Sequence, residues 1–109
     1  MKKRERIKNK IEFDNFIKKT RYIKNNYFIL HSKEKLEANP RFGIAVGTKV
    51  GGAVVRNRLK RQVRAIINTE KDLFWSNKDY IIVVRKEVLN LKYHEMKEKL
   101  TELVNQVKK

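Results

Sequence analysis

Cysteine is absent from this sequence of 109 residues, and proline occurs only once. Without cysteine the chain has no disulfide bond, no thiolate nucleophile and no cysteine-ligated zinc site. No run of 18 or more apolar residues occurs, which excludes a membrane-spanning helix. The basic start of the chain is not followed by an apolar segment, so a secretory signal is not expected. We therefore expect one small domain over residues 1–109, in the cytoplasm, with no membrane partner.

Acidic residues are missing from the middle of the chain. Lysine and arginine together number 28 against 12 acidic residues, a net charge of +16. Residues 38–69 contain seven basic residues and no acidic one, whereas residues 70–109 contain nine basic and seven acidic residues. A field of this size attracts polyanions, so nucleic acid is the expected partner and an anionic membrane surface is the rival. The phosphate contacts should lie in the first two thirds of the chain.

The residue patterns that accompany catalysis or cofactor binding are also missing. There is no phosphate-binding glycine loop, and the two histidines, His31 and His94, are not spaced as metal ligands. A two-metal nuclease needs clustered carboxylates. Glu70, Asp72 and Asp79 are close in sequence, but helix capping and solvation explain them better than a metal site. We therefore expect no catalytic residue, no metal ligand, no protein-bound cofactor and no small-molecule substrate.

Apolar periodicity predicts three helices and about four strands. A helix over 10–19 would follow Asn9 as N-cap, with Glu12 completing a capping box. Strands are predicted over 27–32, 41–46 and 79–85, and the last of these should be covered on both faces. A second helix should begin near Ala53, and a third should span 93–107. The first residues, about 1–8, suggest a flexible basic arm. The predicted class is α+β, a small mixed sheet packed with three helices in the order α-β-β-β-α-β-α.

Residue alternation assigns side chains to faces of these elements. In the strand over 41–46, Phe42, Ile44 and Val46 should face the core, while Gly43 and Ala45 form a flat face that another group can approach closely. In the strand over 27–32, Ile29 and His31 share the face opposite to the core. The stripe of the last helix, which begins with Tyr93, is predicted to be buried.

The helix that begins near Ala53 has a column of positive charge. Arg56, Lys60 and Arg64 recur at every fourth position beside an apolar stripe. Like charges four residues apart destabilise an isolated helix by a few tenths of a kcal/mol per pair, and this helix contains no acidic residue to relieve them. An external polyanion is the expected partner of the column. The preference for arginine over lysine suits folded RNA as well as DNA, because guanidinium binds phosphate in a bidentate manner.

The segment from Lys49 to Arg64 reads KVGGAVVRNRLKRQVR and resembles the signature of the ribonuclease P protein family. The likeness extends over nearly the whole chain, because a basic arm, a helix with a phenylalanine and three characteristic strands follow in the family order. Two positions depart from the family pattern: Gly52 replaces the usual asparagine and Ala65 the usual glutamate.

The resemblance implies a protein subunit of an RNA-based endonuclease that removes the 5′ leader of precursor tRNA. The RNA subunit would be the catalyst and would require Mg²⁺. The resemblance also implies a left-handed crossover between two parallel strands, against the usual preference. The residues that would bind the catalytic RNA are Lys49, Arg56, Asn57, Arg58, Arg61 and Arg64. The residues that would form a cleft for the leader are Phe13, Ile17, Ile29, His31 and Lys60. For Ile17 and Ile29 a place in the core is an open alternative.

Two functions from different classes stay open at this point. One is the ribonuclease P subunit, and the other is a non-catalytic structural RNA-binding protein such as a small ribosomal protein. Composition does not separate them, and the signature favours the first.

Overall fold

The computed structural model describes residues 5–7 and 9–107. The helices and strands are α1 (Lys10–Lys19), β1 (Tyr22–Lys24), β2 (Phe28–Glu34), β3 (Phe42–Val46), α2 (Ala53–Thr69), β4 (Lys78–Val84) and α3 (Tyr93–Val104). Two short 3-10 helices, Lys71–Leu73 and Lys86–Asn90, flank β4. The predicted α+β class and element order are confirmed.

The four strands form one mixed sheet in the order β1-β2-β4-β3. β2 is antiparallel to both of its neighbours, whereas β3 and β4 are parallel. Helix α2 is therefore the crossover between two adjacent parallel strands, and the left hand implied for it stays a prediction. Strand β4 is central and covered on both faces, since Ile81 and Ile82 are both fully buried.

The main core lies between one face of the sheet and helices α2 and α3. Its sheet side chains alternate along the strands, as predicted, and include Phe28, Leu30, Phe42 and Ile82. The helices contribute a second layer to this core: Leu59, Val63, Ile66, Ile67, Met96, Leu100, Leu103 and Val104. Burial raises the pKa of Tyr80 to about 12, and its hydroxyl accepts a hydrogen bond from the Trp75 backbone N–H at 2.8 Å.

Helix α1 packs on the opposite face of the sheet. Phe16 is buried there in a small cluster with Ile7 and Ile81. The predicted N-cap is confirmed, because the Asn9 side chain accepts hydrogen bonds from the two backbone N–H groups at residues 11 and 12. The predicted capping box is wrong in its second half, since the Glu12 carboxylate binds Arg41, the residue before β3, instead of the helix N-terminus.

The predicted flexible arm lies partly outside the described residues, which exclude residues 1–4 and 8. The described part, residues 5–7, is attached to the sheet instead of forming an arm. Arg6 forms a parallel bridge with Phe42, and the Ile7 N–H donates to the Phe42 carbonyl at 3.0 Å. Because the Ile7 side chain is also buried, this segment is held against β3.

The prediction that the first residue of α3 is buried is wrong. Tyr93 was expected in the buried stripe, but 36% of its surface is exposed. It occupies the first helical position, at the end of the stripe, where the backbone enters from Lys92. The stripe is buried from Met96 to Val104, where α3 ends, whereas Val107, the last residue expected in it, is half-buried.

Candidate nucleic-acid interface

Helix α2 presents its basic residues on both sides of a buried apolar stripe. The stripe consists of Leu59, Val63, Ile66 and Ile67. At 100° per residue, the column of Arg56, Lys60 and Arg64 lies on one side of the stripe, and Arg58 with Gln62 lies on the other. The helix begins after Gly52, which provides no side-chain cap, so no local side chain occupies this N-terminus.

The basic side chains on and just before α2 form no ion pair with any described residue. These six are Lys49, Arg56, Arg58, Lys60, Arg61 and Arg64. Lys49, Arg58 and Arg61 are exposed, as is Asn57, while the other members of the set are half-buried. The buried Nε of Arg56 has no hydrogen-bond partner among the described residues. This surface therefore retains its full charge for an external anion.

A different set of cations is neutralised within the fold. The Arg41 guanidinium contacts Glu12 at 2.7 Å and Asp79 at 2.8 Å, and Lys35 contacts Asp79 at 2.7 Å. Burial raises the pKa of Asp79, but the hydrogen bonds from Arg41 and Lys35 outweigh burial and hold this pKa below its ordinary value. The expectation that Asp79 is a solvated acid is wrong, because this carboxylate is buried and fastens α1 and β3 together through Arg41.

A groove runs between α1 and α2 along β3. Its lining contains three cations and no acidic residue, and consists of Arg6, Ile7, Phe13, Phe42, Gly43, Ile44, Lys60 and Arg64. The Nε of Arg6 is buried and has no hydrogen-bond partner among the described residues. The fold thus brings two of the residues predicted for the leader cleft, Phe13 and Lys60, into one groove.

The floor of this groove is a close contact between a glycine and an aromatic ring. A Cβ atom added to Gly43 would lie 2.6 Å from Cε2 of Phe13 and 3.1 Å from Cγ1 of Ile81. The flat face predicted for β3 is therefore approached by a ring from the same chain. Phe13 is half-buried against this floor, so part of its ring remains accessible from the groove.

The other predicted cleft residues lie elsewhere. Ile17 is half-buried against the cluster around Ile81, and Ile29 is half-buried on β2, which β4 separates from β3. The prediction that His31 lines the cleft is contradicted by its burial, because only 5% of its surface is exposed. Its Nδ1 lies 3.2 Å from the Thr20 hydroxyl, and its ring lies 5.5 Å from that of Tyr22. Burial lowers the pKa of His31 and outweighs a hydrogen bond to the Thr20 backbone, which raises it.

Arg6 is the groove residue that sequence reasoning missed. The basic pattern of the first residues places Arg6 in the arm, although the apolar residue beside it, Ile7, indicates that the segment is anchored. Arg64 was assigned to the RNA-subunit surface, and the fold directs it to the groove as well.

Two features are absent from the described ranges, 5–7 and 9–107. No helix there is long and apolar enough to cross a membrane. No three histidine or acidic side chains there lie close enough together to hold a metal ion.

Comparison with known proteins identifies relatives over the whole chain. The family model described as Ribonuclease P matches residues 1–108. A ribonuclease P protein component of Mycoplasma capricolum is 39% identical over 109 residues, and the match covers 99% of this chain and 100% of that relative. One from Bacillus cereus is 42% identical over 101 residues, covering 92% of this chain and 88% of its own.

Solved structures agree with these sequence matches. The RNase P protein of Thermotoga maritima superposes with a TM-score of 0.86 at 28% identity, covering 96% of this chain and 99% of its own. The RNase P protein of Staphylococcus aureus superposes with a TM-score of 0.83 at 26% identity, covering 92% of each chain. The alternative of a small ribosomal protein finds no support in these matches.

Proposed function

Because the chain belongs to the ribonuclease P protein family, we propose that it binds both the catalytic RNA and the 5′ leader of precursor tRNA. As a subunit of ribonuclease P, it is part of an endoribonuclease of tRNA processing and associates with ribonuclease P RNA. The chemistry of leader removal is assigned to the RNA subunit and its Mg²⁺ ions, and to no residue of this chain. The proposal implies a cytoplasmic location, since bacteria transcribe precursor tRNA there.

The observation that carries the leader assignment is the charge of the groove between α1 and α2. Arg6, Lys60 and Arg64 converge there without an acidic neighbour in its lining, and the partly accessible Phe13 ring lies on its floor. A basic track with an aromatic side chain is the usual arrangement for binding single-stranded nucleic acid without strong sequence preference. The leader is the single-stranded part of the substrate, so the groove fits it better than the folded tRNA body.

The remaining predicted residues take more limited parts in this proposal. Ile17 packs against the buried cluster beneath α1, Ile29 lies opposite Val83 of β4, and the burial of His31 argues against contact with RNA. The catalytic RNA would be bound by the exposed basic residues of α2 and the turn before it: Lys49, Asn57, Arg58 and Arg61. Arg56 lies one helical turn before Lys60 on the same side of α2.

The test is reconstitution with the catalytic RNA at low Mg²⁺, with binding measured for precursor tRNA and for mature tRNA. Lys60→Ala should weaken binding of the precursor, leave mature tRNA unaffected, and make the salt slope of precursor binding shallower by about one. Lys24→Ala is the control, because it also removes one lysine charge, from β1 at the opposite edge of the sheet. Equal losses for both RNAs, or for both variants, would contradict leader binding in the groove.

A further inference from the structure

A second basic surface lies on the side of α2 that faces away from the groove. Arg58, Arg61, Gln62 and Ala65 of α2 line a shallow pocket together with Tyr93 of α3. The pocket contains an exposed aromatic ring, two arginines and a side-chain amide, and none of its lining residues is acidic. This combination of groups differs from the groove, where the aromatic ring is packed against the sheet.

Tyr93 is left exposed by the geometry of the two helices. Its ring stands at the first position of α3, beyond the buried stripe that begins at Met96, and 36% of its surface is accessible. The ring is within stacking range of no other aromatic ring in the described ranges. The exposed part of the ring lies beside two guanidinium groups and is accessible to an external group.

We propose that Tyr93, Arg58, Arg61 and Gln62 form a pocket for one unpaired nucleotide of the catalytic RNA. The base would stack on the Tyr93 ring, since stacking on an aromatic side chain is the usual way proteins hold bases that are not paired. The two guanidinium groups would contact the flanking phosphates, which they can bind in a bidentate manner. The Gln62 amide, which both donates and accepts hydrogen bonds, would contact the edge of the base.

An RNA occupant fits this pocket better than a protein occupant. The cations of the pocket form no ion pair with a described residue, and the ring supplies a flat apolar surface of the size of a base. The pocket also lies on the same helix as the exposed residues proposed to bind the catalytic RNA. The inference rests on that part of the proposed function, but it is independent of leader binding in the groove.

The experiment measures the affinity of the intact protein for the catalytic RNA alone, without precursor tRNA. Tyr93→Leu retains apolar volume at the start of α3 but removes the flat ring, and should weaken binding about 5- to 150-fold, the range expected for loss of one stacked base. Tyr93→Phe retains the ring and should bind within about twofold of the wild type. Leu89→Ala, at an exposed apolar residue shortly before α3, is the control and should bind normally.

Chemical probing of the catalytic RNA supplies a second readout. The wild type and Tyr93→Phe should protect one unpaired nucleotide that Tyr93→Leu leaves reactive, and the thermal midpoints of the variants should be similar. Equal affinity and equal protection for Tyr93→Leu and the wild type would overturn the pocket. If Lys60→Ala has no effect on leader binding while Tyr93→Leu weakens RNA binding, the groove assignment fails and the pocket stands.

Discussion

Replacing Gly43 with alanine should strain the contact on which the floor of the groove is built. The new Cβ would lie 2.6 Å from Cε2 of Phe13, and ordinary contact begins at 3.4 Å, so the ring must move by about 0.8 Å. The same Cβ would lie 3.1 Å from Cγ1 of Ile81, which is also closer than ordinary contact. Extra carbon in a packed site costs about 1–3 kcal/mol. At about 4–8 °C per kcal/mol for a domain near this size, we expect a thermal midpoint lower by roughly 4–24 °C.

A double-mutant cycle isolates this contact from general effects of the substitution. Thermal unfolding should be measured for Gly43→Ala, Phe13→Ala and the double variant. If the ring is the obstacle, Gly43→Ala should cost at least about 1 kcal/mol less once Phe13 is truncated, as expected for residues in direct contact. Gly47→Ala is the matched control, because a Cβ there meets no atom within 4 Å. Additive costs, or an unchanged midpoint for Gly43→Ala, would refute the packing of Phe13 on β3.

Three further outcomes are expected. The logarithm of the RNA-binding constant should fall with the logarithm of salt concentration with a slope of about −4 to −5, for about six phosphate contacts, and a slope shallower than about −2 would mean that the charge is mostly solvated. Arg58→Ala should weaken binding to the catalytic RNA without changing the midpoint of thermal unfolding. Leu59→Ala should instead cost about 2–5 kcal/mol of stability, because it leaves a cavity in the core. A lower midpoint with unchanged RNA binding for Arg58→Ala would give Arg58 a structural role. Because burial lowers the pKa of His31 from 6.5, stability should fall as the pH drops below 6.5, and His31→Gln should flatten that slope in urea titrations between pH 5 and 7.

The main helices and strands could be predicted because each has a strong periodicity. The buried stripe of α2 and the continuous apolar run of β4 specify their elements without help from the rest of the chain. The sequence does not predict strand β1, because three residues at a sheet edge, two of them exposed, show almost no alternation of apolar and polar side chains. The pairing of Arg6 with Phe42 is a contact between distant residues, and no local signal specifies it.

The candidate site was predictable only where one element carries it. The charge column of α2 follows from spacing within one helix, and its direction relative to the stripe follows from helix geometry. Alternation correctly separated Ile29 and His31 from the core face of β2, but it contains no information on what covers the other face. Thr20 and Tyr22 cover His31, whereas Phe13 reaches β3 because Gly43 leaves room for its ring.

The division of the cations into two sets explains how a chain with a net charge of +16 can fold and still bind RNA. Arg41 and Lys35 are paired with buried or half-buried carboxylates, so their charge contributes to the packing of α1 and β3. The cations of α2 repel one another, and the apolar stripe beneath them must offset that repulsion. A bound polyanion would remove the repulsion and contribute its binding free energy to the folded state. The charge that weakens α2 in the free protein therefore becomes the source of its affinity for RNA.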